Sequence, residues 1–94
     1  MEYEELRKAL ETFSLSGKAT LKEIKERHRE LVKCFHPDAG GGDPARIREI
    51  NSAYRILSEY CLGYRFSLTW DEFLKQNPEE RLRQQFAQDP IWGG

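Results

Sequence analysis

The stretch Phe35-His36-Pro37-Asp38-Ala39-Gly40-Gly41-Gly42-Asp43-Pro44 most constrains how this chain can fold. It concentrates turn-forming residues between two segments of helical periodicity. Pro37 has no backbone donor and its ring clashes with the turn before it, so a helix arriving from the N-terminal side must stop here. The same ring disfavours helical dihedrals at His36 and predicts an extended backbone there. Three glycines give freedom to turn. Asp43-Pro44 then supplies an N-cap residue and a proline at the first helical position, which predicts a new helix. The loop displays an imidazole and a carboxylate on either side of a stiff proline, so His36, Pro37 and Asp38 are the leading candidate functional residues.

The flanking segments read as helices. Tyr3, Leu6, Leu10 and Phe13 recur at three- and four-residue steps, which predicts a short amphipathic helix over about residues 2–12, ended by Ser14-Leu15-Ser16-Gly17. Thr20-Leu21-Lys22-Glu23 is a T-x-x-E capping box and predicts the start of a second helix. Its apolar stripe is Leu21, Ile24, Leu31, Val32 and Phe35, with His28 at a seam position between Ile24 and Leu31. Lys22, Lys25, Arg29 and Lys33 share another face at the same spacing. A third helix is expected from Pro44 to near Tyr60, with Ile47, Ile50, Tyr54, Leu57 and Cys61 on one side and Ala53 permitting close packing. The expected architecture is all-α: an antiparallel pair of helices crossed by a short first helix.

Beyond residue 60 the texture changes. Tyr64, Phe66 and Leu68 alternate with Arg65 and Ser67, as suits a brief extended segment. Thr69-Trp70-Asp71-Glu72 is a second capping box leading to a short helix with Phe73 and Leu74. Asn77-Pro78-Glu79-Glu80 repeats a cap, a proline and an acidic first turn. Leu82 and Phe86 mark the inner face of that last helix, and Asp89-Pro90 ends it. The organisation read from the sequence is thus residues 1–60 as one unit and 61–94 as an aromatic-rich helical extension. Its aromatics are expected to fold back over the first unit, too small to be comfortable alone. The alternative is that Ile91-Trp92 or the Tyr64-Phe66-Leu68 segment docks a client or adaptor.

Composition narrows the function classes. The 94 residues allow one small domain or a shorter one with an appendage. With 38% hydrophobic and 33% charged residues, the chain reads as soluble and globular, and a monomer is expected. Its net charge of −1 argues against a general nucleic-acid or membrane-surface binder. No apolar run nears the roughly 20 residues of a membrane span. The acidic start, Met1-Glu2-Tyr3-Glu4-Glu5, lacks the features of a signal peptide. Cys34 and Cys61 are too few and too far apart for a zinc module or disulfide framework, and a reduced, cytoplasmic setting is expected. His28 and His36 bring no third metal ligand at a useful spacing. The glycine run lacks the Lys-Ser/Thr of a phosphate-binding loop. Neither a metal, a cofactor nor an enzymatic activity is expected.

Taken together, Ile24-Lys25, Arg29, Leu31, Phe35-His36-Pro37-Asp38, Ile47, Ile50-Asn51, Ala53-Tyr54 and Leu57 resemble a J domain, the co-chaperone module of DnaJ-like proteins, over residues 1–60. The triplet alone is weak; between a basic second helix and an I-N-x-A-Y-x-x-L helix it is specific. The resemblance implies a partner, an ATP-bound DnaK-type heat-shock chaperone. His36, Pro37, Asp38, Lys22, Lys25, Arg29, Lys33 and His28 would bind it and promote its ATP hydrolysis. It also implies that the chain supplies no catalytic group of its own.

Several positions depart from the family pattern. Ile47 replaces a usual phenylalanine, His28 a usual tyrosine and Arg27 a small residue. Glu26 and Glu30 stand where basic residues are usual, so over residues 20–35 five Lys/Arg face three Glu. Those glutamates are expected either to pair with Lys22, Lys33 or Arg29 or to make binding weaker or more selective. The family's glycine/phenylalanine-rich linker, cysteine-rich region and basic fourth helix do not appear. A structural or adaptor module without productive ATPase coupling is therefore the rival reading. A helical DNA binder is disfavoured by the charge balance.

Overall fold

The computed structural model describes residues 1–36 and 42–88. It is all-α, as the periodicity predicts: α1 (Tyr3–Thr12), α2 (Leu21–Phe35), α3 (Pro44–Leu62), α4 (Trp70–Gln76) and α5 (Pro78–Gln88), with no strand among the described residues. The chain divides into two compact units, Met1–Tyr64 and Arg65–Gly94. No helix among the described residues is long and apolar enough to cross a membrane.

In the first unit α3 is the shared wall, with α1 and α2 both packed against it. Ala9 and Phe13 from the α1 side, Ile24 from α2, and Ile50, Ala53 and Leu57 from α3 form the buried core; Phe13 and Ile50 retain no exposed surface. The two alanines let the helix axes approach. Burying a side chain the size of Phe or Ile contributes about 1.5–3 kcal/mol, so these two anchor the unit.

The helix ends follow the sequence signals. Thr20 Oγ1 accepts a hydrogen bond from the Glu23 amide at 3.1 Å and opens α2. Asp43 Oδ1 accepts from the Arg46 amide at 3.1 Å and opens α3, whose first residue is Pro44. α3 continues two residues past Tyr60, to Leu62, and closes on Gly63. The end of α1 is less ordinary. Its Ser14 amide donates to the Glu11 carbonyl and its Leu15 amide to the Leu10 carbonyl, both at 3.0 Å. This is the paired C-terminal closure known as a Schellman motif, and Leu10 and Leu15 both pack against the core.

Such a closure needs a left-handed residue, and here it is Ser14, with φ 51°. That conformation costs a non-glycine residue about 1–2 kcal/mol, partly offset because glycine loses roughly 0.5–1 kcal/mol more on ordering. Ser14→Gly is therefore expected to stabilise the first unit by about 0.5 kcal/mol, read as a raised urea midpoint. A lowered midpoint would contradict it.

In the second unit α4 and α5 pack on each other. Thr69 Oγ1 accepts from the Glu72 amide at 3.3 Å, as the capping box predicts. Asn77 departs from expectation. Its side-chain amide reaches back and donates to the Phe73 carbonyl at 2.9 Å, so it closes α4 instead of capping α5. Only its backbone carbonyl serves α5, accepting from the Glu80 amide at 3.0 Å. An asparagine shared by two helices has an unpaired carbonyl behind it as well as free amides ahead, and the rear partner wins here. Residues 64–68 adopt no regular structure. Asp89-Pro90 and Ile91-Trp92, given roles above, lie outside the described residues.

Candidate functional site

Helix α2 carries most of the residues singled out from the sequence. Lys22, Lys25, Arg29 and Lys33 are all exposed. Steps of three and four residues put them on one face, and at about 1.5 Å rise per residue the row runs roughly 16 Å along the helix. Leu21, Lys22, Lys25, Glu26 and Arg29 line one shallow depression of this surface. None of the four cations makes an ion pair among the described residues; the pairs there are Arg7 with Glu4 and Glu11, Arg27–Glu30, Arg46–Glu49 and Arg83–Glu80.

The acidic residues of α2 form a second row. Glu23, Glu26 and Glu30 recur at three- and four-residue steps along the neighbouring side of the helix. The expected pairing of Glu26 and Glu30 with Lys22, Lys33 or Arg29 does not occur. Glu30 turns instead towards Arg27, at 3.7 Å, on the flank away from the basic row. The solvated surface of α2 is thus divided lengthwise into a cationic edge and an anionic edge, with Glu26 at the border.

The basic row leads to His36, the C-cap of α2. Its backbone is extended, φ −68° and ψ 140°, as a residue before proline should be, and its side chain is exposed. Lys33 in the last turn also complements the negative end of the helix dipole. Pro37 and Asp38 lie outside the described residues.

The base of the loop is fastened. The Asp43 amide donates to the Phe35 carbonyl at 3.1 Å, joining the end of α2 to the start of α3. The Arg46 guanidinium lies 5.4 Å from the Phe35 ring centre, within cation–π range, and pairs with Glu49 at 3.1 Å. Asp43 and Arg46 therefore hold both ends of the turn. The Asp-Pro start signal announced one of them; nothing in the spacing announced Arg46.

His28 sits elsewhere. It is half-buried in the seam between α2 and α3, stacked on Tyr54 with ring centres 4.0 Å apart and planes 10° apart. Its Nε2 lies 3.0 Å from Asn51 Oδ1. The structure thus brings Lys22, Lys25, Arg29 and Lys33 together on the surface and turns His28 inward. Cys34 is exposed and Cys61 half-buried, both as free thiols. Among the described residues no three His, Cys, Asp or Glu side chains gather as metal ligands would.

The comparisons with known proteins agree with this architecture. The family model for the DnaJ domain matches residues 8–60, and the chain belongs to the DnaJ-domain family. It is 36% identical over 87 residues to the chaperone protein DnaJ of Hydrogenobacter thermophilus, an alignment covering 85% of this chain and 23% of that one. It is 32% identical over 69 residues to the chaperone protein DnaJ of Finegoldia magna, covering 70% and 18%. A third relative is an uncharacterised 19.0 kDa protein of a Sinorhizobium species, 44% identical over 55 residues, covering 55% and 32%. The chain spans about a third or less of the length of these relatives. No solved structure matches it.

Proposed function

We propose that this chain is a J-domain co-chaperone that docks on an ATP-bound DnaK-type chaperone and stimulates its ATP hydrolysis. The cationic edge of α2 and the His36-Pro37-Asp38 loop make the contact. The observation that carries the reading is the row Lys22, Lys25, Arg29 and Lys33, exposed and without an ion pair among the described residues, on the helix that ends at His36. Such a row steers the chain towards an acidic surface, with an association rate that falls as salt rises. Asp38 then accepts a charge-assisted hydrogen bond from an arginine of the chaperone. Pro37 limits the freedom of the loop before contact and so lowers the ordering cost. The module supplies no reacting group. It biases the partner's ATPase by binding one of its conformations better than the others. The segment after residue 60 serves a client or adaptor, a role supported by the exposure of Leu68.

Steady-state ATP turnover by a DnaK-type chaperone, titrated with the chain, tests the reading. Wild type is expected to give saturable stimulation. Asp38→Asn removes the charged acceptor and is expected to weaken stimulation by roughly tenfold or more. Equal stimulation by the variant would contradict the assignment. The acidic row of α2 favours a second reading, an adaptor that binds without stimulating. Co-purification with the chaperone at unchanged ATP turnover would support it instead.

A further inference from the structure

The side chain of His28 meets Asn51 and Tyr54 of α3 and Phe13 at the end of α1. Its ring lies parallel to Tyr54 of α3 and within 3° of parallel to Phe13, the buried C-cap of α1, whose ring centre is 6.3 Å away. Phe13 and Tyr54 are themselves 9° from parallel, with centres 6.5 Å apart. Stacked rings of this kind slide and rotate at little cost. A hydrogen bond does not, because it weakens steeply once the donor leaves its acceptor's line. The Asn51 carboxamide oxygen lies 3.0 Å from Nε2, in place to accept a hydrogen bond from it. That bond is the one side-chain hydrogen bond between α2 and α3 among the described residues.

We infer that His28 is a positioning residue: through the Asn51 hydrogen bond it sets the rotation of α2 about its own axis on α3, and with it the direction in which the cationic edge faces. The inference rests on the function proposed above for that edge. Arg29 follows His28 directly and Lys25 precedes it by one turn, so a few degrees of rotation at His28 are carried directly to both. The apolar stripe of Ile24, Leu31 and Phe35 keeps α2 bound to the core under small rotations, but it has no directional bond with which to choose among them. His28 therefore acts on the partner through Lys25 and Arg29 without touching it.

Two variants isolate the bond from the packing. His28→Phe keeps a flat ring for the stack and removes the donor; Asn51→Leu keeps the volume and removes the acceptor. Residual dipolar couplings on the free, full chain are the first readout. In both variants the α2 amides are expected to shift together relative to those of α1 and α3, with the cooperative unfolding transition retained. Titration of ATP turnover by a DnaK-type chaperone is the second. The concentration of chain for half-maximal stimulation is expected to rise roughly three- to tenfold, the scale of one lost hydrogen bond, while maximal stimulation stays the same. The double variant is expected to add nothing to either single one. Unchanged α2 couplings in His28→Phe, or effects of the two substitutions that multiply, would overturn the inference. Shifted couplings in a chain whose wild type gives no stimulation would instead remove the proposed function and leave the positioning role standing.

Discussion

Phe13→Ala is expected to remove about 3–5 kcal/mol from the stability of the first unit. Phe13 lies one residue past the end of α1 and keeps no exposed surface. Its ring faces both His28 and Tyr54 and so ties the end of α1 to the α2–α3 seam. Truncating a buried phenylalanine costs about 3–5 kcal/mol, because the neighbours cannot collapse fully into the space. A unit of this size has a net stability of only about 3–9 kcal/mol at 0.05–0.15 kcal/mol per residue, so the loss is a large fraction of it. Both tryptophans, Trp70 and Trp92, follow residue 64 in the sequence. Far-UV circular dichroism in urea, or the amide resonances of α3, reads the effect directly. A midpoint displaced by less than 1 kcal/mol equivalent would mean that the unit repacks around the missing ring.

The second large effect is electrostatic. Lys25→Glu combined with Arg29→Glu turns the middle of the cationic edge anionic and joins it to the row of Glu23, Glu26 and Glu30. The half-saturating concentration for stimulating a DnaK-type chaperone is expected to rise by roughly tenfold or more at low ionic strength. Raising the salt should weaken wild type and narrow its advantage over the variant, because screening removes attraction from one and repulsion from the other. Both positions are exposed, and helix propensity changes little from Lys or Arg to Glu, so the fold is expected to stay intact. Equal half-saturation at low salt would detach the edge from function.

Much of the fold was legible because its signals are local. Thr20, Asp43-Pro44 and Thr69 each announce a helix start through a bond that spans three residues, and the three- and four-residue steps of Leu6, Leu10 and Phe13 mark an inner face whatever covers it. The less legible features join residues distant in sequence or offer a choice of partners. His28 could be placed on the seam by periodicity, but its bond to Asn51 links residues 23 positions apart, and spacing says nothing about that. Asn77 had a partner on each side, and sequence alone favoured the wrong one. The cationic row was readable from spacing. Its separation from the acidic row was not, because it depends on Glu30 turning to Arg27 in preference to Lys33 or Arg29. Leu82 and Phe86 were placed on an inner face, yet each stays about half-exposed; helical period finds the apolar side of a short helix but not how deeply it is buried.

The amide of Asp43 bound to the carbonyl of Phe35 has a consequence for how such a turn can vary over time. The bond holds Phe35 to Asp43 whatever the length of chain between them. Doubling that length would cost only about 0.6 kcal/mol in closure entropy. Insertions among the glycines should then be nearly silent for the helices on either side, whereas loss of the tie would let every added residue loosen where α3 begins.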